Sequence, residues 1–187
     1  MIYRVGSALD IEAVLDLLTE LRLNGRSGPH FHWTKELLQD EIWQYHFVLA
    51  SVEDRQFVVE DRNKESSWIH SKLSLKEIKY KCTKAAAFIV FRHLGGHLIE
   101  ITALATGEHF LRQSVMSKLM KYLIETEKPE EIWLEVHEKN ISAIRLYERI
   151  GFHCSGSRSN YYADQSSAYN YVWKSQEPSL TTKKMNK

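Results

Sequence analysis

One carboxylate in an apolar strand is the first feature of this chain that could do chemistry. Residues 132–136, IWLEV, have the composition of a β-strand. Its two-residue period puts Ile132, Leu134 and Val136 on one face, and Trp133, Glu135 and His137 on the other. A carboxylate there is costly unless paired or solvated. Two readings are open. On an edge strand with one wet face, Glu135 simply sits in water. On a dry face, desolvation raises its pKa above ~4.3, toward general-base work near neutrality. Tyr147 is the second candidate. It follows Asn140, a good helix cap, by two helical turns, which puts it beside Ala143, Ile144 and Ile150. Such a tyrosine either packs with its hydroxyl bonded to backbone or acts as a general acid, since a phenol of pKa ~10 can protonate a leaving thiolate.

These residues need a scaffold, and the patterning supplies one. Residues 2–5 read as a short strand. Ser7 with Asp10 has the layout of a capping box, and Leu9, Ile11, Val14, Leu15, Leu18 and Leu21 recur at helical spacing over about residues 8–22. A loop holding Asn24, Gly25 and Pro29 follows, and Thr34 caps a second helix over about 35–45. Residues 46–52 have strand character, and QFVVE from Gln56 is their hairpin partner or extension. Residues 60–82 are charged and aperiodic. They are expected to form a surface insertion, with Ser74 and Glu77 hinting at a short helix.

Residues 85–91 are almost continuously apolar, as suits the middle of a sheet. Gly95 and Gly96 build a turn over residues 92–96, and residues 98–104 form the next strand. Leu111, Val115, Leu119 and Leu123 then mark a helix that Pro129 closes. Strand 132–136 is followed by a helix from the Asn140 cap to Gly151. Phe152 opens another strand, and YNYVW from Tyr169 is the last. The β-α-β crossover demands a parallel pair or a split sheet. The class is α/β or α+β: one mixed sheet with helices on both faces, in a single domain over 1–175, with a frayed tail over 176–187.

Composition narrows the function. Of 187 residues, 43% are hydrophobic and 26% charged, as in a globular domain with a core. Lys plus Arg number 25 against 24 Asp plus Glu, a net +1, which argues against nucleic acid or an anionic membrane as partner. The longest apolar run, 85–91, is far too short to span a bilayer, and the N-terminus lacks a signal-peptide layout. Two cysteines, Cys82 and Cys154, make no disulfide framework, so a cytoplasmic location is expected. His30 and His32 lack a carboxylate or thiol to complete a metal set, so no metal is expected. Neither a nucleophile elbow nor a Walker loop occurs.

The order LEV, Asn140, then AIxLYExxGF resembles the last conserved block of the GNAT acyltransferase superfamily. The specific likeness is to the RimI type, the bacterial ribosomal-protein N-terminal alanine acetyltransferases. Asn160, Tyr161 and Tyr162 resemble that family's NYY segment at the peptide site. Trp33, in FHW, resembles the flank of its acceptor groove. The resemblance implies acetyl transfer from acetyl-coenzyme A, as cosubstrate, to a primary amine by direct attack. It implies a V-shaped split between two central parallel strands, where Ile101, Ala103 and Leu104 border the pantetheine arm. Glu135 would be the general base and Tyr147 the general acid, and Asn140 and Tyr147 would lie near the thioester.

The same resemblance places the pyrophosphate at a helix start, on Arg112, Gln113, Ser114, Val115 and Met116, where free N–H groups and the dipole attract an anion. Here the chain departs from the family pattern. Leu111 replaces Gln or Arg, and Ser114 and Met116 replace glycine or a small residue. Met116 either packs beside Met120 or intrudes on the cofactor. The acceptor is expected to be the N-terminal α-amine of a protein or peptide, or else a small amine. An α-amine of pKa ~8 leaves more neutral amine than a lysine at ~10.4. The rival reading is a scaffold protein of the same fold with a decayed cofactor site. Monomer and homodimer are both compatible with the sequence.

Overall fold

The computed structural model describes residues 1–7, 10–23, 46–60 and 76–176. Seven strands form one sheet: β1 (Ile2–Val5), β2 (His46–Glu60), β3 (Lys76–Gly95), β4 (Leu98–Thr106), β5 (Glu131–His137), β6 (His153–Arg158) and β7 (Ala168–Lys174). Their spatial order is β1-β2-β3-β4-β5-β7-β6. Every neighbouring pair is antiparallel except β4 and β5, the two strands joined by a helical crossover. The described helices are α1 (Ile11–Leu23), α2 (Val115–Glu127) and α3 (Ile141–Ile150). The mixed sheet with helices on both faces expected from the sequence is therefore present, and it is mostly antiparallel.

The two faces carry separate cores. Val14, Leu17 and Leu18 of α1 pack with Phe47, Leu49, Phe88 and Val90. On the other side, Leu119, Met120 and Leu123 of α2 and Tyr147 of α3 pack with Ile89, Ile99, Ile132 and Leu134. Strand alternation produces this division, since Phe88 and Ile89 are both buried yet point to opposite cores. At the start of α1 the expected capping box is present and enlarged. Asp10 accepts hydrogen bonds from the Ser7 backbone N–H at 2.8 Å and its hydroxyl at 3.0 Å. It also accepts a fork of two from Arg4, at 2.9 and 2.7 Å, and the N–H of Cys82 at 2.7 Å. One side chain thus ties β1, α1 and β3 together.

Of the two readings open for QFVVE, the extension of β2 is the one present. Other elements differ from the sequence reading. Residues 76–82, expected within an irregular insertion with a helical hint at Glu77, belong to β3 and pair with residues 54–60. The alternation Ile78, Tyr80, Cys82 against Lys79 and Lys81 carries that strand, but the charged stretch before it obscured the period. Residues 61–75, the expected helix at 35–45 and the tail from 177 lie outside the described residues. β3 also runs through the expected turn as far as Gly95. Leu111, expected on the helix, sits in the turn before it and is exposed.

Candidate active site

The parallel pair at the centre of the sheet is short. Its register runs from Leu98↔Glu131 to Ile101↔Leu134 and then stops, although β4 continues to Thr106 and β5 to His137. Each strand stays zipped to its outer neighbour. β4 follows β3 to Ala87↔Thr106, and β5 follows β7 to His137↔Ala168. A local cause is visible. Val90 pairs with Ala103 and Phe91 with Ile101, so Thr102 is an extra residue, a bulge placed beside the last parallel pair. A bulge bends its strand and increases its twist, which turns β4 away from β5. The facing edges of residues 102–106 and 135–137 have no strand partner among the described residues, so they keep backbone donors and acceptors for a ligand. Ile101 is the last paired residue, and Ala103 and Leu104 lie just past it.

Glu135 is the first β5 residue beyond the split. Its strand alternates as expected, with Ile132, Leu134 and Val136 buried and Trp133 43% exposed on the opposite face. β5 is not an edge strand. It lies between β4 and β7, and the wet face belongs to the sheet interior of the strand order. Nor is the carboxylate desolvated. Its side chain is 32% exposed and its Oε1 lies 3.0 Å from Nη1 of Arg158. Arg158 is on β6, so this ion pair spans β7. It starts opposite Ala168. The guanidinium also lies over the Tyr161 ring, 5.5 Å from its centroid.

Asn170 faces Glu135 directly across the β5–β7 register. Its side-chain carbonyl oxygen is buried without a hydrogen-bond partner among the described residues. A buried acceptor left open beside a carboxylate is unusual in a folded protein, where such atoms are nearly always paired. Opposite Asn170 on its other side stands Gly156, where an added Cβ would meet nothing within 4 Å. The row Glu135, Asn170, Gly156 therefore runs across the sheet from β5 to β6, with open space at its Gly156 end.

The loop between β6 and β7 closes over this row. Tyr162 stacks on His137, centroids 4.4 Å apart and planes 18° from parallel. The Lys139 backbone N–H donates to His137 Nδ1 at 3.1 Å, so the ring proton resides on Nε2, which reaches Ser166 Oγ at 2.7 Å. The Ser166 hydroxyl donates to Asp164, which also pairs with Lys139 at 3.0 Å. The Ser166 hydroxyl and the Lys139 ammonium hold the Asp164 carboxyl well below the usual carboxylate range. Tyr162 is pushed up by burial and then by the negative charge of Glu135, which places it within electrostatic reach of that carboxylate. Asn160 adopts a left-handed conformation, φ 54°, in the turn that presents the two tyrosines.

Tyr147 lies on the other side of β5, 4% exposed, between the rings of Phe152 and Tyr171. Burial pushes its hydroxyl well above the ordinary phenol value, with Tyr162 adding to the shift. Among the described residues no group hydrogen-bonds that hydroxyl. Asn140 caps α3, its Oδ1 accepting the Ala143 N–H at 3.2 Å. Gly151 ends the helix at φ 103°, a conformation only glycine adopts without strain.

Residues 111–114 form the turn into α2. Arg112 and Ser114 are both left-handed, φ 58° and 59°, although neither is glycine. Ser114 sits at the N-cap but makes no side-chain cap bond, so the first N–H groups of α2 have no such partner. Gln113 donates from Nε2 to the His109 carbonyl at 2.6 Å. Val115 and Met116 are 4% and 5% exposed and belong to the α2 core. Met116 thus packs inward beside Met120. Trp33 lies outside the described residues. Arg158, Asn170 and the His137–Ser166–Asp164 set were missed as site residues. Arg158 and Asn170 acquire meaning only through the β5–β7–β6 register, and the one sequence signal was Asn170 as the lone polar residue in YNYVW.

The open split, the helix start behind it and the carboxylate at its mouth agree with what the chain is similar to. Residues 29–152 match the Acetyltransferase (GNAT) family. An N-alpha-acetyltransferase from Sulfurisphaera tokodaii is 36% identical over 78 residues, covering 40% of this chain and 45% of that protein. A ribosomal protein bS18-alanine N-acetyltransferase from Salmonella typhimurium is 39% identical over 62 residues, covering 32% of this chain and 42% of that protein. The chain thus matches less than half the length of these curated relatives. The crystal structure of the ribosomal-protein-S18-alanine N-acetyltransferase from Escherichia coli has the same fold, with TM-score 0.65 at 17% identity, covering 96% of this chain and 98% of that one. This chain belongs to the GNAT acetyltransferase family.

Proposed function

We propose that this protein is an N-acetyltransferase that moves an acetyl group from acetyl-coenzyme A to the N-terminal α-amine of a protein or peptide. The observation that carries the reading is the position of Glu135, the first residue past the point where β4 and β5 part. The residues present fit the cosubstrate. Open backbone edges at 102–106 and 135–137 suit the amides of a pantetheine arm, and the uncapped N–H groups of α2 suit its pyrophosphate. Ser114 holds the left-handed geometry that a glycine gives elsewhere in the family, and Met116 is turned into the core. Both observations support a working site over a decayed one.

Acetyl-coenzyme A would supply the activated acyl group and depart as its thiol. The residues of this chain move the protons. A carboxylate oxygen of Glu135 takes one proton from the arriving ammonium and passes it to solvent, and the neutral nitrogen then forms the new C–N bond as the C–S bond breaks, its second proton leaving by the same carboxylate. Arg158 must release Glu135 first, and the bridge, more than half exposed on the arginine side, is of the weak and replaceable kind. The Tyr147 hydroxyl keeps its proton at neutral pH because burial disfavours the phenolate, so it acts as a donor to the leaving sulfur. Asn140, by capping α3, fixes the helix that carries Tyr147.

The test is direct. Coenzyme A at about a hundred times its dissociation constant should stabilise the fold by about 2.7 kcal/mol, read as a rise in melting temperature. Acetylated peptide should then be seen by mass spectrometry when acetyl-coenzyme A is supplied. No thermal shift at millimolar coenzyme A would sink the reading and favour the scaffold.

A further inference from the structure

The pair Arg158–Glu135 raises a question that the acetyl-transfer reading leaves open, namely what becomes of the guanidinium when an amine arrives. An amine reaches the site as an ammonium with three N–H donors. The Glu135 carboxylate is the exposed acceptor for it, and the residue opposite, Asn170, holds a buried carbonyl oxygen without a hydrogen-bond partner among the described residues. A cation settling there takes over the carboxylate that Arg158 holds at 3.0 Å. Arg158 is not thereby released into bulk water. It remains tethered on β6 and stacked against the exposed ring of Tyr161. The result is a positive fork of N–H donors, one side chain away from the bound amine, without a carboxylate.

We propose that Arg158 determines acceptor specificity by selecting peptides with an acidic side chain immediately after the N-terminal residue. Such a peptide exchanges ion pairs with the enzyme. Its ammonium replaces the guanidinium on Glu135, and its carboxylate replaces Glu135 on the guanidinium. An arginine matches a carboxylate bidentately, which gives the exchange direction as well as charge. A basic second residue brings a like charge to Arg158 and leaves both cations competing for one carboxylate. This inference rests on the N-terminal acetylation reading, and the following experiment separates the two.

Three peptides that begin Ala-Glu, Ala-Gln and Ala-Arg and are otherwise identical are assayed with wild-type protein, R158Q and R158E at low salt. Wild type should rank them Glu, Gln, Arg, with at least about a tenfold spread in kcat/KM carried mainly by KM. R158Q should flatten the ranking, and R158E should reverse it. Arg158 is exposed, so these variants are expected to fold, and circular dichroism checks that they do. One ranking shared by wild type and R158E overturns the proposal and leaves N-terminal acetylation standing. Acetylation of a small amine such as spermidine, with none of the three peptides modified, overturns both.

Discussion

Asp10 and Glu135 are both carboxylates set against the same sheet, and the protein holds them in opposite ways. Asp10 is fully buried, with both oxygens engaged by donors from three elements, the fork of Arg4, the N–H and hydroxyl of Ser7 and the N–H of Cys82. Burial pushes its pKa up, but the Arg4, Cys82 and Ser7 hydrogen bonds more than offset that and leave it below the ordinary value. Glu135 is a third exposed and, among the described residues, has one charged partner and faces an acceptor that has none. A carboxylate with every lone pair committed inside the fold has nothing left for a substrate. One held by a single exposed arginine at the end of a split has its chemistry in reserve. Saturation, more than burial, separates the structural acid from the one proposed to be functional.

The sharpest way to break that comparison is to remove each charge in turn. Glu135→Gln should lower kcat by about 10²- to 10⁴-fold, the range for loss of a general base, while the melting temperature stays within a degree or two. Asp10→Ala should do the reverse. It leaves Arg4 and the Cys82 N–H without their acceptor, which costs about 3–5 kcal/mol and lowers the melting temperature by roughly 10 °C or more, with kcat per folded molecule little changed. Equal loss of stability in the two variants would erase the distinction.

Acid should distinguish them as well. The folded pKa of Asp10 is depressed, so its contribution to stability is complete above its unfolded value of ~3.9 and disappears as pH falls through the lower folded value. Denaturant unfolding followed from pH 6 to 3 should show a loss of stability below about pH 4 that is absent in Asp10→Ala. A parallel decline in the two proteins would mean that Asp10 is not the group responsible. Tyr147→Phe comes next in size. It removes a hydroxyl without a hydrogen-bond partner among the described residues, so stability should hold or rise slightly, while kcat falls by about one to two orders of magnitude. Unchanged kcat, with chemistry shown to be rate-limiting by a slower thioester, would return this tyrosine to a purely packing role.

Much of this fold was legible because its signals are local. The α3 segment shows its cap at Asn140, its apolar stripe and its terminating Gly151 within a dozen residues, and β5 shows its alternation in seven. The residues that hold Glu135 were not legible, because they depend on which strand lies beside which. β7 inserts between β5 and β6, out of chain order, and only that order brings Asn170 and Arg158 to the carboxylate. The reading of residues 76–82 failed for a different reason. Three lysines and a glutamate within seven positions hid a two-residue apolar period that pairing with β2 makes plain. At Met116 sequence alone left two outcomes, and packing decided between them, since a long flexible side chain at the start of α2 fills the core beside Met120.

Ser114 supplies the smallest prediction and sharpens the comparison at the other end of the site. It occupies a left-handed conformation, φ 59° and ψ 18°, at the head of α2, and its hydroxyl makes no cap bond to offset the strain. A residue with a Cβ is disfavoured there by about 1 kcal/mol relative to glycine. If the head of α2 is the pyrophosphate site proposed above, such strain is explained by a hydroxyl that has a use only when the anion is present. Ser114→Gly should therefore raise stability of the ligand-free protein by about 0.5–1 kcal/mol while weakening coenzyme A several-fold, whereas Ser114→Ala should lose affinity with no gain in stability. If Ser114→Gly instead binds coenzyme A more tightly than wild type, the serine is a tolerated departure from the family loop, and its hydroxyl does not contact the phosphates.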